Sequence, residues 1–415
     1  VGASVVGDRV RSVVRDDEED ESERQENLVK NALRIVETLG ELRGGAMKVG
    51  QMLSLHESLF PPEVAAVLGQ LQQKAPAVPF EIIEAELRNA VPDFDTIFES
   101  LEPEAFAAAS IGQVHRGVLR DGREVAVKIQ YPLIDRVIEA DLSNLRILLQ
   151  RLLALFSDME FDPFWRELEA RLREEIDYET EAKHLREAQA LYSDDDSVLI
   201  PTVIDEASGR NVLTMQYLPG IPPRDAASRH YSPAARDQWG QTLMRFILRG
   251  LFVHRVVHAD PNFANFAFRD DGRLIIYDFG CVKRIPDIIA EGYRATVAAL
   301  LDSEHDRAAE LLAIMGVQLE NEPLPLEMLA PYIELFEEIF RADPDYRFGE
   351  DESVYDRLFE VGMSNLSSVR DLSFPEDMIF IDRALSGHFG NLIKLDATGP
   401  WRKILCEALD EGASL

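Results

Sequence analysis

Residues 258–280 read HADPNFANFAFRDDGRLIIYDFG, and the class of the whole chain turns on them. Asp260 and Asn265 stand on one loop. Asp278 follows a hairpin signal, with arms at 265–269 and 274–277 about Asp271-Gly272, and precedes the turn Phe279-Gly280. Transfer of a phosphoryl group needs little covalent help from a protein. It needs metal ions bridging phosphate oxygens and a carboxylate beside the nucleophile. Mg²⁺ takes only one or two oxygens from the protein, and an Asn and an Asp from neighbouring loops can supply them. Asn265 and Asp278 are therefore the candidate metal ligands, and Asp260 the candidate base or water-positioning group. Taken singly, Asp260-Pro261 is a turn and Asp278-Phe279-Gly280 a strand end. The loop, the spacing and the hairpin together favour the chemical reading.

Upstream, Glu124 to Gln130 alternates as a strand after the turn signal Asp121-Gly122, and it carries Lys128 near its end. A lysine there is either a surface edge residue or a group reaching the α- and β-phosphates, held by a helix glutamate. The helix over 165–192 offers Glu174, Glu175, Asp177, Glu179 and Glu181, and the helix alone does not choose among them. Before the strand, Ala107-Ala108-Ala109-Ser110-Ile111-Gly112 lies where a phosphate loop would lie. Three alanines make it stiffer than a glycine loop, and by themselves they read more readily as a small-residue packing site.

The spacing of apolar residues predicts helix over 27–73 and over 79–99, broken near Pro92. A strand is expected within 106–118, two amphipathic helices within 133–192, and strands over 199–205 and 211–217 around Ser208-Gly209. A Pro/Gly-rich linker at 219–223 precedes a long helix over 233–255. A loop follows at 278–287, and the rest is helical. The expected domains are an acidic linker (1–24), a helical extension (25–100), a mixed lobe with a helical insert (101–219) and a mainly helical lobe (220–415). The fold class is α+β, with a cleft between lobes as the expected ligand site.

Composition limits the partners. The 415 residues carry 43 Lys and Arg against 75 Asp and Glu, a net charge of −32, and no basic stripe, so nucleic acid is excluded as a natural ligand. Eight lysines against 35 arginines, with so many acids, suggest a salt-adapted source, although an ordinary solvated surface reads the same way. Two cysteines, Cys281 and Cys406, point to a reducing cytoplasm. No apolar run is long enough to span a bilayer and no signal-peptide pattern is visible. Cys281 reads as a small buried residue rather than a redox handle.

Four motifs together resemble the UbiB/AarF/ADCK family of atypical protein-kinase-like proteins, over about residues 25–400. Lys48-Val49-Gly50-Gln51 is similar to its KxGQ signature, and residues 107–115, AAASIGQVH, to its alanine-rich nucleotide loop. Glu175-Ile176-Asp177 resembles its ExD signature, and 258–280 its catalytic and metal loops. The resemblance implies a protein-kinase-like two-lobe fold with an N-terminal KxGQ extension. It implies catalytic roles for Asp260, Lys128 and Glu181, with Asn265 and Asp278 on Mg²⁺. ATP would be held by Ala107, Ala108, Ala109, Ser110, Ile111, Gly112, Val114, Ala126, Lys128, Met215, Tyr217 and Leu218. Lys48, Gln51, Glu175 and Asp177 would form a lid that blocks protein-sized substrates. The loop 260–265, DPNFAN, departs from the family's DPHPGN by a His, a Pro and a Gly while keeping the spacing to Asn265. The Ala264 substitution narrows backbone freedom beside the metal. No Arg stands in His258-Ala259-Asp260, which argues against a phosphate-switched activation loop.

Three activities compete. The resemblance implies a slow ATPase or small-molecule/lipid kinase supporting isoprenoid quinone (ubiquinone-type) biosynthesis, with ATP and Mg²⁺ as cofactors. Polyprenyl or quinone-precursor lipid, a membrane surface and quinone-biosynthesis proteins are the implied partners. A nucleotide-binding switch or chaperone without turnover is the alternative. A true protein kinase is disfavoured, because residues 281–294, CVKRIPDIIAEGYR, contain no Ala-Pro-Glu motif and no long Ser/Thr-bearing loop. Met47, Met52 and Leu53 beside the KxGQ signature read as helix core more readily than as a lipid tunnel. The expected location is a prokaryotic cytoplasm, peripheral to the inner membrane.

Overall fold

A computed structural model of the chain describes residues 29–38, 64, 78–109, 111–156, 161–341, 345–350, 357, 372–373 and 375–414. Of the helix expected over 27–73, residues 29–38 are helical, with Ala32 and Val36 buried one turn apart. The rest of that stretch lies outside the described residues. Compactness divides the chain into two units, 1–179 with 204–214, and 180–203 with 215–415.

The first unit is built on a four-stranded sheet of β1 (Phe98–Ala108), β2 (Gly112–Leu119), β3 (Glu124–Gln130) and β5 (Val212–Gln216), in that order. Helix α1 (Phe80–Ala90) lies on one face. Its Ile83 and Leu87, one turn apart, join Val125, Val127 and Ile129 of β3 in a core completed by Phe94, Phe98, Leu119, Ile204 and Val212. The β2–β3 hairpin turns at Asp121-Gly122 as expected. Gly122 takes φ 89°, and the Asp121 carboxylate accepts the Arg123 amide at 3.0 Å. Strand β1 begins at Phe98, where a helix was expected to run on through Glu99. Register shifts between Phe98 and Ala107 hide its period from the sequence, and Pro103, with no N–H to give a ladder, is tolerated on this edge strand. Helices α2 (Ile134–Leu153) and α3 (Phe161–Glu175) pack through Leu145, Leu149, Leu152, Trp165, Leu168 and Leu172.

The second unit contains α4 (Tyr178–Leu191, whose first two residues belong to the first unit), β4 (Val198–Leu199) and the long helix α5 (Pro233–Phe252). Ser232 caps α5 by accepting the Ala235 amide at 3.2 Å, with Pro233 at the first helical position. Helix α5 stops before the expected Arg255, which takes a left-handed φ of 53° and turns the chain into β6 (Val256–His258). The expected hairpin forms as β7 (Phe266–Phe268) and β8 (Leu274–Ile276), with Gly272 at φ 87°. Three details differ from expectation. Residues 199–205 are not one continuous strand: β4 ends at Leu199 and runs parallel beside β8, and 205–207 form a 3₁₀ turn, so the antiparallel pairing with 211–217 shrinks to a bridge at Val203 and Met215, flanked by the Ile204 amide on the Thr214 carbonyl at 2.8 Å and the Gln216 amide on the Thr202 carbonyl at 2.7 Å. The expected loop at 278–287 contains β9 (Val282–Arg284), paired antiparallel with β6. Helices α6 (Asp287–Leu301), α7 (His305–Ile314), α8 (Leu326–Phe340), α9 (Glu376–Leu395) and α10 (Trp401–Ala413) follow, but the stretch expected to be wholly helical also holds a small antiparallel sheet of Gln318–Leu319, Glu322–Pro323 and Leu372–Ser373.

Candidate active site

In the first unit the alanine-rich segment is mostly strand. Ala107 and Ala108 end β1 opposite Val114 and Gln113, and the Ala109 amide closes a tight turn onto the Gly112 carbonyl at 3.0 Å. Ile111 is buried, and its carbonyl accepts the Tyr131 amide at 2.9 Å. Gly112 is needed for closeness rather than for a left-handed turn: a Cβ there would lie 2.3 Å from the Ile129 carbonyl oxygen of β3. Ser110 lies outside the described residues.

Lys128 stands opposite Val114 and is only 8% exposed, with Nζ 4.8 Å over the centre of the Tyr178 ring. Ala126 and Gln130 share its face of β3 by alternation. The Gln130 amide nitrogen donates to the Ile176 carbonyl at 2.9 Å, so this face is tied to the ExD segment. Asp177 accepts the Glu179 amide at 3.1 Å at the start of α4. Lys48, Gln51 and the Glu175 side chain lie outside the described residues, so the proposed lid is not described with them. Gln113 and His115 point to the other face. Gln113 holds both backbone groups of Val78, at 3.1 and 3.3 Å, and its nitrogen lies 2.9 Å from His115 Nε2. His115 Nδ1 then donates to the Glu102 carbonyl at 2.8 Å. Burial lowers its pKa, against the opposing effect of that bond. These two residues fasten the sheet.

In the second unit, Glu181 is buried on α4, one turn beyond Tyr178. One turn further, His184 Nδ1 donates to the Phe279 carbonyl at 3.1 Å. The Asp260 carboxylate accepts the Asn262 amide at 3.1 Å, and the Asn262 side chain accepts the Ala264 amide at 3.1 Å. Two side-chain turns in succession build the departed loop. Ala264 is not among the left-handed residues, so the missing family glycine costs no strain here. The Asn265 amide nitrogen donates to the Asp260 carbonyl at 3.4 Å, which leaves its oxygen as the atom able to meet a cation. The Asn265 carbonyl accepts the Tyr277 amide at 2.9 Å, so the ladder of β7 and β8 brings Asn265 beside the residue preceding Asp278.

Asp278 Oδ1 accepts the Gly280 amide at 2.7 Å, and the Asp278 carbonyl accepts Nε2 of the buried His258 at 2.8 Å. The His258 ring meets Phe279 edge-on at 5.3 Å. Three segments of the second unit, 258–265, 277–280 and α4, are thus pinned together by side chains. Tyr277 extends the linkage: its half-buried hydroxyl, with a pKa pushed up to about 12 chiefly by burial, donates to the Leu218 carbonyl at 2.8 Å. Met215 is buried, and Tyr217 and Leu218 lie in the stretch leading to that bond. Nothing in the sequence marks His184 or Tyr277 as supports, since neither belongs to a spaced motif. The donor set of Asn265 and Asp278, two hard oxygens on adjacent strand ends, fits Mg²⁺.

Residues 70–312 match the ABC1 atypical kinase-like domain. This chain belongs to the ABC1 atypical kinase-like family. It is 33% identical over 377 residues to the mitochondrial atypical kinase COQ8B of Rattus norvegicus, covering 88% of this chain and 70% of the rat protein. It is 31% identical over 378 residues to the mitochondrial atypical kinase coq-8 of Caenorhabditis elegans, covering 89% of this chain but about half, 49%, of the nematode protein. Among solved structures, the Mycobacterium tuberculosis protein Rv3197, in complex with erythromycin, matches with a TM-score of 0.66 and 26% identity, over 94% of this chain and 97% of that one. The two-lobe, kinase-like α+β fold of the UbiB/AarF/ADCK group follows. One expectation is corrected. The rat, nematode and fission-yeast relatives are named as mitochondrial and an Arabidopsis thaliana relative as chloroplastic, which overturns the placement of this ABC1 protein in a prokaryotic cytoplasm. Acid-rich composition and few cysteines do not distinguish such sources. Among the described residues no helix is long and apolar enough to cross a membrane.

Proposed function

We propose that this ABC1 protein binds ATP with Mg²⁺ and acts as a slow ATPase or small-molecule/lipid kinase supporting isoprenoid quinone (ubiquinone-type) biosynthesis. The observation that carries the reading is the joining of Asn265 to the Asp278 strand through the Tyr277 amide, beside an Asp260 carboxylate held by the Asn262 amide. Asn265 and Asp278 would hold the metal, which when bound neutralises charge developing on phosphate oxygens. Asp260 orients the attacking hydroxyl or water and accepts its proton. Lys128 holds the α- and β-phosphates, with Glu181 as its carboxylate partner. Ala107 to Gly112, with Val114, Ala126, Met215, Tyr217 and Leu218, line the nucleotide. Lys48, Gln51, Glu175 and Asp177 restrict access to small acceptors, and a polyprenyl or quinone-precursor lipid is the acceptor class. Family membership supports the pathway assignment. The direct passage from β9 into α6 supports a small acceptor, because it leaves no long segment after Gly280 on which a peptide could dock.

Purified protein should hydrolyse ATP in the presence of Mg²⁺, and Asp278→Asn should abolish that turnover. ATP binding with no hydrolysis above the Asp278→Asn level would instead support a nucleotide switch.

A further inference from the structure

We propose that α9 is the platform that positions Asp260, acting through Gly387, His388 and Asn391. His388 Nε2 donates to the His258 carbonyl at 3.0 Å, and the Asn391 amide nitrogen donates to the Pro261 carbonyl at 2.8 Å. These two carbonyls stand on either side of Ala259-Asp260, so holding both fixes the peptide planes that aim the Asp260 side chain. Gly387 lets the helix come close enough: a Cβ there would lie 2.3 Å from Pro261 Cγ. The three residues fall on one helix face, since 387 and 391 are four apart and 388 and 391 three apart.

Plain packing does not account for these side chains. His388 is 1% exposed and Asn391 0%. Yet, among the described residues, His388 Nδ1 and Asn391 Oδ1 have no hydrogen-bond partner. A buried polar atom left unpaired is destabilising, and an apolar side chain of similar volume would fill either position without that cost. The atoms that are paired are the two that reach the Asp260 segment. Burial, and next to it the His258 ring 5.7 Å away, keep His388 neutral. Its Nε2 therefore carries a fixed proton to donate. Neither side chain is placed against Asp260 itself, so both are positioning residues, which act through the backbone.

This inference rests on the Mg-ATP reading for its effect on turnover, and on the structure alone for its effect on the loop. Asn391→Leu and His388→Met each remove one donor at similar volume. With Mg-ATP, each should lower kcat roughly 10- to 100-fold while ATP affinity stays within about twofold. Hydrogen exchange gives the second readout: amides in 259–266 should exchange faster in each variant, while those of α6 and α10 stay at the wild-type rate. If the wild type hydrolyses ATP and both variants keep its kcat and its exchange in 259–266, the platform is refuted. If the wild type shows no turnover above Asp278→Asn, the ATPase reading fails, and exchange alone decides the platform. Faster exchange confined to 259–266 supports it, and unchanged exchange refutes it. Should one variant fail to fold, the other carries the same test.

Discussion

Replacing Gly112 by alanine would put a Cβ 2.3 Å from the Ile129 carbonyl oxygen, 3.0 Å from its carbon and 3.1 Å from Gln130 Cα. All three are backbone atoms of β3, so no side chain can swing aside. Restoring ordinary contact requires β3 to move by about 1 Å, and overpacking of this kind costs about 1–3 kcal/mol. For a unit of this size that corresponds to a fall in Tm of roughly 3–10 °C. Lys128 adjoins Ile129, so it moves with the strand, and a misplacement of about 1 Å lowers turnover on the order of 100-fold. The assay pairs thermal unfolding with ATP titration and Mg-dependent hydrolysis. Gly122→Ala is the control. Gly122 has nothing within 4 Å of an added Cβ and a φ of 89°, so the change should cost about 1 kcal/mol and leave nucleotide behaviour alone. Wild-type Tm and nucleotide affinity in Gly112→Ala would refute the argument that β3 is held this closely.

Arg249 is partly buried and meets Asp194 at 3.0 Å, Asp195 at 3.0 Å and Glu411 at 2.8 Å; burial lowers its pKa, and the three carboxylates outweigh that and raise it. Arg249→Gln should cost about 3 kcal/mol in urea unfolding, since Asp195 is left largely buried without its partner; a loss below about 1 kcal/mol would count against it. The pKa of His388 is pushed down to about 3, first by burial and then by neighbouring His258. A histidine held neutral contributes stability that is complete above the unfolded value near 6.5 and falls as pH drops towards 3, by at most about 1.4 kcal/mol per pH unit. His388→Met should flatten the loss of stability between about pH 7 and about pH 5, and equal slopes in both proteins would exclude this histidine as a source.

The legible parts of the sequence were those set by local chemistry. The Asp-Gly turns at Asp121 and Asp271 have the same cause in sequence and structure, a left-handed glycine and a side-chain acceptor. Strand β3 matched its alternation from Glu124 to Gln130, and the start of α5 followed from Ser232-Pro233. Strand β1 was hidden because its register shifts break the period of two. Partners far along the chain were hidden too. Nothing local to Gly387, His388 or Asn391 points to residues 258–261, and nothing near His115 announces that its proton belongs to the Glu102 carbonyl. Gly112 stands in a segment that reads as a phosphate loop or as a small-residue packing site, and the close approach of β3 that its smallness answers has no local sign in the sequence. The candidate metal ligands were found by motif; the tethers around them became visible only in three dimensions.

The two units interleave along the chain, with 180–203 assigned to the second and 204–214 to the first. Strand β4 must find β8 as a parallel neighbour, Val198 against Leu274, across the whole of the intervening segment. β5 likewise takes its place in the sheet of β1 to β3 only after the chain has passed through α4. Neither unit is therefore a continuous piece of chain. During synthesis the first sheet stays one strand short until residue 216 is available, and the second waits for residue 276. Such long closures are slow relative to local helix formation. A fragment beginning after residue 215 would lack β4, and one ending at residue 200 would lack β5, so each would expose an open sheet edge.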